Sequence, residues 1–148
     1  MDGIVEPLPK FRELIENARQ ARVFSYVPYS KFAMGASVRF DGGHIVPGAV
    51  VENVSLGLAM CAERVALFAG VALGHGKPSA LALVAPLTDG ALTYPCGACL
   101  QVALELGGPD LVVLAAAADT RSFERRTVGE LLPHAPRKAR SRGHQLEA

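Results

Sequence analysis

Every cysteine in the chain falls in one of two short motifs, Cys61-Ala62-Glu63-Arg64 and Pro95-Cys96-Gly97-Ala98-Cys99, and each motif opens an apolar stretch that reads as a helix. The first turn of a helix stabilises a thiolate through unpaired backbone N–H groups and the helix dipole. A fold that sets the two helix starts side by side therefore brings three thiolates to one point. Three sulfur ligands suit a tetrahedral zinc ion with its fourth position vacant, the pattern of a catalytic site rather than a closed structural one. Glu63 follows Cys61 by two residues, too close to be a comfortable fourth ligand but well placed to reach the open position. A carboxylate there can take a proton from water and hand it on to a substrate.

Competing readings explain less. A dithiol redox motif would use Cys96 and Cys99 but leave Cys61 and Glu63 without a role. A structural zinc site would need a fourth Cys or His, and none of His44, His75, His134 and His144 has ligand-like spacing from a cysteine. Cys-Ala-Glu and Pro-Cys-x-x-Cys, about 35 residues apart, match the signature of zinc deaminases with Cys in place of the first His.

Composition narrows the class. At 148 residues the chain suits one compact domain, and half its residues are hydrophobic. A formal net charge of +1 argues against a protein that grips nucleic acid. An apolar run of about 20 residues, the length that crosses a bilayer, is not present. The start, Met1 to Pro7, is acidic and lacks the apolar core of a secretory leader, so the expectation is a cytoplasmic protein with reduced thiols.

The apolar spacing of Phe11, Leu14, Ile15 and Ala18 predicts a helix over about 9–25. Strands are expected at about 35–40 and 44–52 around Asp41-Gly42-Gly43, with Pro47 marking an edge position or a bulge. An almost wholly buried helix over 61–73, a strand over 80–85, a helix over 96–106, a strand over 111–118 and a short helix over 128–132 complete the order. Strands alternating with helices favour an α/β sheet, largely parallel in its second half, covered on both faces. After Pro136 a basic stretch, 137–148, has no apolar periodicity and reads as a tail beyond the domain of residues 1–136.

The chain resembles the cytidine deaminase family, in its small homotetrameric branch with three cysteine ligands. Beyond the zinc motif, Tyr26-Val27-Pro28-Tyr29-Ser30-Lys31-Phe32 looks like the family's N-terminal substrate segment. Gly48-Ala49-Val50-Val51-Glu52-Asn53-Val54-Ser55 resembles its ribose-binding strand, and Thr127-Val128-Gly129-Glu130-Leu131-Leu132-Pro133 its C-terminal motif. The resemblance implies a three-layer α/β/α sandwich around a five-stranded mixed sheet. It also implies a homotetramer with shared active sites and one zinc ion per subunit, bound by Cys61, Cys96 and Cys99. Glu63 would shuttle protons, and Arg64 would draw charge off the thiolates. Phe32 would pack on the pyrimidine or its sugar, the Ala62 N–H would hold the ring carbonyl, and the Tyr94 carbonyl would face the departing amine. The implied reaction is hydrolysis of a cyclic amidine C–N bond, turning cytidine or deoxycytidine into the uracil nucleoside plus ammonia. The expected partner is thus a small nucleoside, with no nucleic acid and no membrane.

Three positions depart from the family pattern. Val50 stands where an Asn normally pairs with Glu52 on the ribose hydroxyls. Leu100 stands where a second charge-neutralising Arg often follows the last cysteine, and His134-Ala135-Pro136 replaces a C-terminal aromatic residue. The loss at Val50 leaves an alternative: a deaminase of a modified-sugar cytosine nucleoside, like the blasticidin S deaminases, or of another aminated heterocycle.

Overall fold

The computed structural model describes residues 7–137. Met1 to Glu6, His144 and all of the expected basic tail except Arg137 lie outside the described residues. Helix α1 (Pro7–Ala21) forms where the apolar stripe was expected and runs into a 3-10 turn, Arg22–Phe24, ahead of Pro28. Strands β1 (Gly35–Phe40) and β2 (Ile45–Ala49) pair antiparallel around a turn in which Gly42 and Gly43 take positive φ. Then follow α2 (Ala62–Ala72), β3 (Pro78–Ala85), α3 (Gly97–Gly107), β4 (Val112–Ala117), β5 (Phe123–Thr127) and α4 (Val128–Leu131).

The sheet order is β2-β1-β3-β4-β5. Pro47 lies on the edge strand β2, where a missing N–H costs no ladder bond. Alternation along the central strands builds two cores. Ala80, Ala82 and Val84 of β3, with Leu114 and Ala116 of β4, pack against Phe11, Leu14, Ile15 and Ala18 of α1. Leu81 and Val113 face the other way, joining Val38 and Phe40 beneath Ala62, Ala66 and Leu67 of α2 and Leu100, Ala103 and Leu104 of α3. The result is the expected three-layer α/β/α sandwich on a five-stranded mixed sheet.

Three local expectations change. Only β3 and β4 run parallel among the described strands, since β5 returns antiparallel to β4. That strand, Phe-Glu-Arg-Arg-Thr, has no apolar alternation to announce it, because it is an exposed edge held mainly by backbone pairing. The second strand ends at Ala49 rather than at 52, with Val51 held beyond it by isolated bridges. Helix α2 is not almost wholly buried: Phe68 and Val71 are 46% and 50% exposed on its outer side. No helix among the described residues is long and apolar enough to cross a membrane.

Candidate metal centre

The loop that leaves the C-terminal end of β3 carries Pro95 and Cys96 to the start of α3, and α2 begins beside it. Ligand sites in open α/β sheets collect at such strand ends. Cys61 is the N-cap of α2 and Cys96 the N-cap of α3, both in extended backbone, while Cys99 lies on the first turn of α3. Their three Sγ atoms lie within 4.8 Å of one another, and Cys96 and Cys99 are 3.6 Å apart. No other group of His, Cys, Asp or Glu among the described residues is arranged to share a metal ion. Tetrahedral Zn–S bonds of about 2.3 Å place sulfur atoms about 3.8 Å apart, so the cluster fits zinc with little movement, and soft thiolates favour it.

Electrostatics prepare the cluster for a cation. Arg64 Nη2 donates to Cys61 Sγ at 3.4 Å. The Cys99 thiol also donates to Cys61, and together with Arg64 it brings the Cys61 thiol down to about 5 despite partial burial. Cys99 is raised in turn because it keeps the shared proton. Glu63, on the first turn of α2, is 1% exposed. Burial pushes its carboxyl up to about 7, and the neighbouring Cys61 thiolate adds to the shift. Glu63 Oε1 and Arg64 Nε are buried without a hydrogen-bond partner among the described residues. An orphaned carboxylate oxygen beside three converging thiols is expected where a further ligand belongs.

Among the described residues no histidine joins the cluster. His44 and His75 stack on each other with ring centroids 4.1 Å apart, and His134 is exposed. Leu100 is buried in the core between α2 and α3, a position into which a second arginine would have to be forced.

Backbone pairing connects the other expected site residues to the thiols. Val51 and Met60 exchange two backbone hydrogen bonds of 2.9 Å, which places the Val50–Glu52 segment next to the residue preceding Cys61. Tyr26 pairs on the other side, its N–H donating to Val50 O and its carbonyl accepting from Glu52 N–H, both at 2.9 Å. The Glu52 carboxylate accepts from the N–H groups of Tyr29 and Ser30 and from the Ser30 hydroxyl, and that hydroxyl above all holds it below the usual carboxylate range. Ser30 carries no local signal of this role, since its partner lies 22 residues away. Val50 is half-buried and packs against the core. Phe32 is half-buried, with its N–H on Ser30 Oγ. Ala62 is fully buried at the first position of α2. Tyr94 is half-buried just before Pro95, its phenol raised by burial and by Glu124.

The profile of the cytidine and deoxycytidylate deaminase zinc-binding region matches residues 9–115. A cytidine deaminase of Mycobacterium tuberculosis is 44% identical over 119 residues, covering 80% of this chain and 84% of the relative. One from Halalkalibacterium halodurans is 43% identical over 122 residues, covering 82% and 90%. The solved cytidine deaminase of Burkholderia pseudomallei superposes with a TM-score of 0.78 at 40% identity, covering 84% of this chain and 97% of that one.

Proposed function

The chain belongs to the cytidine and deoxycytidylate deaminase family, and from that premise we propose that it hydrolyses cytidine or deoxycytidine to the uracil nucleoside and ammonia. The observation that carries the reading is the trio of thiols at two helix starts beside the buried Glu63, one of whose carboxylate oxygens has no partner among the described residues. Cys61, Cys96 and Cys99 would hold zinc. When bound, the metal supplies a water acidic enough to act as a nucleophile near neutral pH, although three thiolates temper that effect.

The protein's own groups do the rest. The buried Glu63 carboxylate takes the proton of the attacking water and delivers it to ring nitrogen 3, which makes carbon 4 electrophilic. The same carboxylate then takes the proton of the new carbon 4 hydroxyl and passes it to the amine, so the carbonyl forms as the C–N bond breaks and ammonia leaves, with water the only other reactant. The Arg64 hydrogen bond keeps Cys61 a thiolate and draws charge from it. The Ala62 N–H orients the ring carbonyl, the Tyr94 carbonyl faces the leaving amine, and Phe32 packs on the pyrimidine or its sugar. Glu52 receives a sugar hydroxyl while Val50 covers the sugar with an apolar surface.

The deaminase domain ends near residue 136 and works as a cytoplasmic homotetramer with shared sites. The family resemblance supports this assembly, and so do the exposed Phe24, Leu56 and Phe68. The net charge of +1 favours a free nucleoside over nucleic acid as substrate. The test is ammonia release from cytidine, deoxycytidine and sugar-modified cytosine nucleosides by purified protein of known zinc content. About one zinc per subunit, with turnover of the two natural nucleosides, is the expected result. Absence of zinc, or turnover confined to sugar-modified substrates, would overturn it.

A further inference from the structure

The loop between β3 and α3 carries Cys96, and its two ends are tied differently. Near β3 the ties are local: Thr88 and Ala91 exchange backbone bonds of 2.8 and 2.9 Å, and Thr93 Oγ1 donates to Pro86 O at 2.7 Å. At the other end, two residues before Cys96, the Tyr94 hydroxyl donates to Glu124 Oε1 of β5, 30 residues along the chain.

Strand parity explains why Glu124 is there. Phe123 packs with the α1 core and Arg125 lies over the Phe11 ring at 5.8 Å, so these residues face α1. Glu124 and Arg126 therefore face the opposite side of the sheet, where α2 and α3 begin. Arg126 Nη2 sits 3.3 Å from Glu124 Oε1 and steadies the carboxylate on an otherwise exposed edge. Pro95, buried, confines Tyr94 to extended backbone. With the Tyr94 ring anchored and its backbone confined, few directions remain for Cys96.

We propose that Glu124 is a positioning residue for the metal loop: by holding Tyr94 from the edge strand, it keeps Cys96 directed at Cys61 and Cys99. What the loop carries rests on the deaminase reading; the brace itself rests on the geometry of β5.

The test follows zinc loss from the zinc-loaded protein to a competing chelator, together with steady-state kinetics. Glu124→Ala and Tyr94→Phe are each expected to speed zinc release roughly three- to tenfold and to lower kcat more than they change KM. The double variant should be no worse than either single one, because both remove the same bond. Glu124→Gln, whose amide oxygen can still accept from Tyr94, should recover most of the wild-type behaviour. Arg125→Ala, on the same strand but facing α1, should release zinc at the wild-type rate. Wild-type release by both single variants, or additive effects in the double one, would overturn the proposal. Wild-type protein that binds no zinc would instead defeat the deaminase reading.

Discussion

At the scale of single residues, burial and the neighbouring Cys61 thiolate both make charge on Glu63 more costly. The carboxyl rises from an ordinary 4.5 to about 7, while the thiol falls to about 5 with Arg64 and Cys99 donating to it. Glu63→Gln keeps the shape but cannot carry a proton. It should retain zinc yet lose roughly 10²- to 10⁴-fold in kcat, read from ammonia release at matched zinc content; turnover at the wild-type rate would remove Glu63 from the chemistry. A second prediction concerns stability without metal. A raised carboxyl pKa means that the folded state holds the proton longer than the unfolded chain does. The stability this contributes is complete below 4.5 and is lost as pH rises through about 7. Metal-stripped wild-type protein should therefore lose up to ~3 kcal/mol more than stripped Glu63→Gln across that window. The Cys61 contribution is common to both proteins and largely cancels. Urea denaturation at several pH values gives the comparison, and parallel curves would contradict it.

At the scale of elements, the site depends on how closely α2 approaches the sheet. A Cβ built at Gly48 of β2 would lie 2.3 Å from Ala62 O and 2.7 Å from Ala66 N. Glycine there lets the start of α2, with Cys61 and Glu63, settle against β2. Gly48→Ala should cost about 1–3 kcal/mol, a fall of roughly 3–10 °C in Tm, and should weaken zinc retention because the helix start is displaced. An unchanged Tm would show that α2 can shift freely. The element that escaped the sequence, β5, is the one whose side chains do not alternate between apolar and polar. Its position is set by pairing with β4 from Val112↔Thr127 to Ala116↔Phe123. That ladder also sets Glu124 opposite Tyr94.

At the scale of the molecule, the outer side of the layer formed by α2 and α3 is largely apolar. Phe68, Val71 and Ala72 of α2 line a groove of about 470 Å³ with Val102, Glu105 and Leu106 of α3, apolar but for the glutamate. Composition alone gives these residues the look of core, and in the single subunit the core is already full beneath them. A second subunit is the covering that the proposed assembly supplies. Phe68→Asp should break the proposed tetramer into smaller species by light scattering, because an added charge is costly to bury in such an interface. It should also lower activity if the sites are shared. A variant that remains tetrameric would exclude this face from the interface.

Each half of the metal site was legible in the sequence because its geometry is local, while the meeting of the two halves, Cys61 with Cys96 and Cys99, was decided by the tertiary structure. Cys61 and Glu63 share one helical turn, Cys96 and Cys99 another, and a helix start favours the same charge wherever it lies. The two-sided core was legible too, since residues alternating along β3 and β4 must serve opposite layers. Tertiary structure alone decided what depends on residues far apart in the chain: the antiparallel edge strand, the Ser30 clasp on Glu52, the Tyr94–Glu124 brace and the bare outer face of α2. Such contacts leave no periodic trace, because each joins residues far apart in the chain.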